Sequence, residues 1–117
     1  MALNIEDYAL ISDCYTGALV GTDGSIDWLC LPRYDSASIF GALLGTKDHG
    51  RWRIAPSDPN ATSERRYDGD SFILVTTWTT STGVVEVVDL MPHGDHRADV
   101  VRRVRGISGA VEMQQNL

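Results

Sequence analysis

The chain has 117 residues, 43% of them hydrophobic and 22% charged: enough for one domain with its own core, too few for two, and unlike a disordered or fibrous chain. Its formal net charge of −6 argues against nucleic acid as a partner, because phosphate binding needs a basic surface. No apolar run approaches a membrane span, and Met1-Ala2-Leu3-Asn4 lacks the charged-then-apolar layout of a secretion signal, so no membrane contact and a cytoplasmic address are expected.

Along the chain, Ile5, Tyr8, Leu10 and Ile11 form an apolar lead-in broken by Glu6 and Asp7, equally readable as a strand or a helical turn. Tyr15 to Val20 reads as the first strand of a hairpin. Asp23-Gly24 supplies its turn, since glycine accepts the positive φ of a tight hairpin. Ser25 to Leu31 is the returning strand, with Ile26, Trp28 and Cys30 on one face and Ser25, Asp27, Leu29 and Leu31 on the other. Pro32 ends it by removing the next ladder donor, which leaves Arg33, Tyr34 and Asp35 on a loop at the strand's end. Rigid scaffolds display functional side chains on such loops.

Ser36 is placed to cap a short helix, with Ile39, Phe40, Leu43 and Leu44 on one side and Gly45 as a left-handed stop. Arg51 to Ala55 resembles a short strand, and Pro56 to Asn60 is a loop by composition. Phe72 to Thr80, rich in β-branched and aromatic residues, puts Phe72, Leu74 and Trp78 on one face. After a turn at Ser81-Thr82-Gly83, Val84 to Met91 returns as an interior strand that is apolar on both faces. Pro92 to Ala98 is a polar loop. Val100 to Val104, a turn at Gly106 to Gly109, and Ala110 to Leu117 read as a last hairpin. Regular strands with hardly any helix indicate an all-β protein, an antiparallel β-sandwich or partly closed barrel with at most one short helix.

Chemistry is sparse. Asp27 and Asp35 flank the central strand, but their separation along an extended chain exceeds the roughly 9.5 Å upper limit for an inverting carboxylate pair, so they read as structural. His93-Gly94-Asp95-His96 with Asp89 offers metal-type ligands on a loop of ordinary polar composition, and no metal or other cofactor is expected. Trp28, Trp52 and Trp78 suit a core as well as a sugar ring. Cys14 and Cys30 fall nearly opposite each other across the hairpin, where geometry would permit a bridge, and read in a reducing compartment as two buried thiols acting as small apolar groups. Arg97, Arg102, Arg103 and Arg105 read as a solvated strand face.

The wording of several segments is specific. Ile5-Glu6-Asp7-Tyr8-Ala9-Leu10-Ile11-Ser12-Asp13-Cys14, Gly21 to Ser36, Gly50-Arg51-Trp52, Arg66-Tyr67, Val88-Asp89-Leu90-Met91-Pro92 and Val101 to Gly109 together resemble the amino-terminal domain of glycoside hydrolase family 15, the glucoamylase and trehalase-like enzymes. The family often has Phe where Tyr34 stands and Pro near Ala37 or Ser38. The resemblance implies a supersandwich-like domain preceding a catalytic barrel of α-helices that hydrolyses α-glucosidic bonds with inversion, using two glutamates of the barrel. No catalytic residue transfers onto this chain.

The expected role is therefore that of a non-catalytic domain. Its partners would be the barrel of the parent enzyme, an α-glucoside or oligosaccharide substrate and, without the barrel, a second copy of itself. Trp28, Pro32, Arg33, Tyr34 and Asp35 are the candidate pocket residues. A stand-alone carbohydrate-binding module using exposed tryptophans, or a structural interaction domain, is the alternative.

Overall fold

The computed structural model describes residues 3–45, 49–93 and 98–117. Among these residues, ten strands form two antiparallel sheets. In chain order the strands are β1 (Tyr8–Ser12), β2 (Gly17–Gly21), β3 (Ser25–Cys30), β4 (Ser38–Phe40), β5 (Trp52–Pro56), β6 (Thr62–Tyr67), β7 (Leu74–Thr79), β8 (Gly83–Leu90), β9 (Val101–Gly109) and β10 (Met113–Asn116). The first sheet runs β1-β2-β3-β5-β10, with β4 also on β3, and the second runs β6-β7-β8-β9. The all-β expectation holds: the two helical turns described in full, Ile5–Asp7 and Ala42–Leu44, are three-residue 3-10 turns.

The apolar lead-in resolves into both of its readings, a 3-10 turn followed at once by β1. The β2–β3 hairpin forms around Gly24, whose φ is 83°. Alternation in β3 is broken by a bulge: Leu19 faces Trp28 and Val20 faces Ile26, so Asp27 has no partner across the ladder. An extra residue inverts the phase of everything beyond it. Ile26 and Leu29, not Ile26 and Trp28, therefore join the core, together with Ile11, Ala18, Val20, Leu74 and Met91. Trp28 is left half-buried. Ile54, Ala55, Trp78, Val85 and Val87 make the second cluster.

Two further expectations are corrected. The helix capped by Ser36 is replaced by β4 and the turn Ala42–Leu44, and Gly45, at φ −161°, is no left-handed stop. Ile39 slips out of register between Leu29↔Phe40 and Cys30↔Ser38, and β4 gains its ladder bonds from β3, which outweigh a short helix with one apolar side. The last hairpin is absent. β9 runs through Gly106 to Gly109 as one strand on β8, bulged at Ile107 between the pairs Val84↔Ser108 and Val85↔Gly106, while β10 crosses to the other sheet and pairs with β5. Thr62 to Tyr67, to which the sequence reading assigned no element, forms an edge strand paired along its length with β7. Such a strand needs no apolar alternation, and Thr-Ser-Glu-Arg-Arg-Tyr has none.

β6 nevertheless ties the two sheets together. Arg65 donates from Nη1 to Val20 O at 2.8 Å and from Nη2 to Asp7 O at 2.5 Å; burial disfavours its charged form and pulls its pKa below the usual arginine value. The Tyr67 hydroxyl accepts from Leu10 N at 3.1 Å and donates to Leu10 O at 2.9 Å. These bonds cover the otherwise bare outer edge of β1.

A second tie is stronger. The Arg102 and Asp89 side chains are 0% and 2% exposed, with Nε 2.7 Å from Oδ1. Nη1 donates to Trp52 O at 2.6 Å and Nη2 to Gly24 O at 2.8 Å, and the guanidinium lies 5.3 Å from the centre of the Trp52 ring. One side chain from β9 thus joins β8, β5 and the β2–β3 turn. The solvated reading of the late arginines fails at Arg102, because the fork that suits solvent equally suits three buried acceptors. Arg103 and Arg105 are exposed, and Arg97 lies outside the described residues.

Candidate functional site

The end of β3 carries the candidate loop. The Leu31–Pro32 bond is cis, and the next residues close a turn: Ser36 N donates to Arg33 O at 3.1 Å and Arg33 N to Ser36 Oγ at 3.2 Å. Arg33 and Asp35 face each other across the turn tip, with Nη2–Oδ2 and Nε–Oδ1 both 3.2 Å apart. Their side chains are 70% and 72% exposed, a pair that contributes about 0–1 kcal/mol to stability. Both present their polar atoms to solvent. Pro32 and Tyr34 are exposed as well.

Tyr34 anchors this turn to the β1–β2 loop. Its N–H donates to Tyr15 O at 3.1 Å, and its hydroxyl shares a 2.9 Å hydrogen bond with Ser12 Oγ. Beneath it, Asp13, 2% exposed, accepts from Tyr15 N and Thr16 N through Oδ1, each at 2.9 Å. Ser12 Oγ donates to Thr16 O at 2.8 Å and accepts from Cys14 N at 3.0 Å. Thr16 Oγ1 reaches Cys30 O at the end of β3. Ser12, Asp13, Tyr15 and Thr16 were not singled out from sequence, although Asp13 followed by Thr16 is a spacing from which a carboxylate can close a turn on its own backbone.

The structure thus brings Pro32, Arg33, Tyr34 and Asp35 together, whereas Trp28 sits within the β3 ladder opposite Leu19. Trp28 and Trp52 are half-buried and Trp78 is in the core, so the exposed aromatics of this end are Tyr15 and Tyr34. Asp27 and Asp35 do not form a site. Asp27 is buried and accepts from the Tyr8 hydroxyl at 2.5 Å and Ser25 Oγ at 2.6 Å.

Burial and the Asp27 hydrogen bond both disfavour the Tyr8 phenolate and raise its pKa well above the usual tyrosine value. A raised folded-state value means that Tyr8 adds stability below the unfolded pKa of about 10 and that this is lost as pH rises further. Tyr8→Phe should therefore flatten the decline in the urea midpoint between about pH 10 and 12, while lowering the midpoint at pH 7 through loss of the bond to Asp27.

Cys14 and Cys30 are both free, but the buried-thiol reading holds for Cys30 alone. Cys14 lies outside the ladder, exposed, at φ 77°. Of the histidine-rich segment, His93 is exposed, Gly94 to Arg97 lie outside the described residues, and Asp89 is engaged by Arg102. Among the described residues no group of His, Cys, Asp and Glu is arranged to hold a metal ion, and no helix is long and apolar enough to cross a membrane.

Residues 1–114 match the family model described as trehalase-like, N-terminal. The chain is 38% identical to the trehalase of Mycolicibacterium smegmatis over 93% of its own length and 19% of that protein. It is 37% identical to the trehalase of Mycobacterium tuberculosis over 96% of its length and 19% of that protein. Trehalase 1 of Sulfolobus acidocaldarius is 38% identical over 88% of the chain and 18% of its own length. The chain therefore spans about a fifth of the curated relatives it matches. No solved structure matches it.

Proposed function

Because the chain belongs to the trehalase-like N-terminal family, we propose that it is the non-catalytic β-sandwich domain of a cytoplasmic, inverting α-glucoside hydrolase of glycoside hydrolase family 15, supporting a catalytic barrel of α-helices and lending Arg33, Tyr34 and Asp35 to its sugar pocket. The observation that carries the reading is the loop itself: a turn fixed by its own backbone and by Tyr34, with a guanidinium and a carboxylate held in solvent. Arg33 suits adjacent sugar hydroxyls as a planar donor fork, and Asp35 suits them as an acceptor. The free state of both cysteines fits a reducing compartment.

Geometry also bears on how a barrel would lie. Asn116 faces Arg53, and Arg53 faces Ser25, so the last strand ends beside the start of β3, away from the loop. A catalytic domain following Leu117 would reach the loop by lying alongside the sandwich for the length of β3, about 20 Å. Without that cover, the open edges of β9 and β10 favour self-association.

Inverting hydrolysis needs an acid and a base roughly 6.5–9.5 Å apart with a water between them. Asp27 is buried and hydrogen-bonded, and Asp35 is held by Arg33, so neither serves. The isolated chain should release no glucose from trehalose or starch-like α-glucans. Turnover that survives repurification and disappears in Asp27→Asn or Asp35→Asn would overturn this reading.

A further inference from the structure

The β1–β2 loop is held more firmly than its length requires, and what it holds up is one aromatic ring. Tyr15 is 74% exposed. Its N–H is fixed by the buried Asp13 carboxylate and its carbonyl by Tyr34 N. Its neighbour Cys14 stands at φ 77°, a left-handed conformation that a non-glycine residue holds only where its surroundings impose it. Two hydrogen bonds, Tyr34 N to Tyr15 O and Tyr34 hydroxyl to Ser12 Oγ, lock this loop to the turn bearing Arg33 and Asp35.

Resting on the proposed role of that turn, we propose that Tyr15 is a further sugar-contacting residue of the same pocket, its ring a stacking platform for a glucosyl ring of an α-glucoside such as trehalose. A tyrosine offers a large flat apolar face at low entropic cost, and the apolar face of a pyranose matches it. The neighbouring groups favour a sugar over a protein surface. Arg33 and Asp35 are well solvated, and covering them with protein would strip water from two charges. Sugar hydroxyls replace that water bond for bond. Tyr15, Arg33 and Asp35 then supply a face, a donor fork and an acceptor from two mutually bonded loops.

Saturation-transfer NMR on the 117-residue chain with trehalose and with maltose tests this, using Tyr15→Ala, Tyr15→Phe and Arg33→Ala, each also followed by light scattering. Transfer to the pyranose ring protons is expected in the parent, reduced by at least about fivefold in Tyr15→Ala and by less than about twofold in Tyr15→Phe, which keeps the ring. No transfer from the parent to either sugar overturns the inference. Transfer lost in Arg33→Ala but unchanged in Tyr15→Ala overturns it while sparing the role of the Arg33–Asp35 turn. If Tyr15→Ala keeps full transfer but loses concentration-dependent self-association, Tyr15 belongs to a protein contact, and the inference again fails.

Discussion

Arg102→Ala should destabilise the chain by about 3–5 kcal/mol, the cost of breaking a buried ion pair from one side. The substitution leaves Asp89 charged and 2% exposed in its side chain, and removes the guanidinium donors from Trp52 O and Gly24 O, the latter keeping only its bond from Ile54 N. Against a total stability of about 5–15 kcal/mol for an ordinary domain, that is a large fraction. At roughly 4 °C per kcal/mol for a domain of this size, the melting midpoint should fall by about 12–20 °C. Because the pair also costs desolvation, Arg102→Met combined with Asp89→Leu should recover a substantial part of the loss, which neither single change does. Urea unfolding of the parent, the two single variants and the double variant measures this directly. A loss below about 1 kcal/mol in Arg102→Ala would mean that water reaches the site and that this ion pair does little to hold the two sheets together.

What sequence reasoning reached and what it missed divide along physical lines. Strands with a strong period of two were legible: Leu74–Thr79 and Gly83–Leu90 formed within a residue or two of expectation, as did the hairpin around Asp23-Gly24. A bulge is not a local property. Asp27, Ile39 and Ile107 each drop out of register because of what lies across the ladder, and the alternation read from the chain cannot report the partner strand. The glycines at 106 and 109 signal a special backbone, but the same signal fits a hairpin turn or a bulge near a strand end. Thr62 to Tyr67 escaped notice because an edge strand exposed on both faces carries no hydrophobic signature. Arg102 was misread because burial of a guanidinium depends on acceptors contributed by β5, β8 and the β2–β3 turn, none adjacent in sequence.

At the candidate site, Pro32 and the strand before it located the turn, so Arg33, Tyr34 and Asp35 were found together. Tyr15 was not, because its place beside them rests on hydrogen bonds from Ser12, Asp13 and Tyr34 that only the folded chain brings into contact.

The central claim, that the turn at the end of β3 serves a sugar pocket, rests on Arg33 and Asp35 having something to bond besides each other. As an isolated surface ion pair they contribute about 0–1 kcal/mol to folding, so their loss should leave the melting midpoint nearly unchanged. In a pocket, each is a charged hydrogen-bonding partner for substrate hydroxyls, and removing one costs roughly 1.5–3 kcal/mol of transition-state binding. The most direct measurement is kcat/KM for trehalose in a full-length trehalase-like enzyme that contains this domain, compared with its Arg33→Ala and Asp35→Ala variants. We expect losses of at least about tenfold in each at unchanged stability. Values within about threefold of the parent in both, under 1 kcal/mol of transition-state binding, would show that the turn is scaffold and contradict the account.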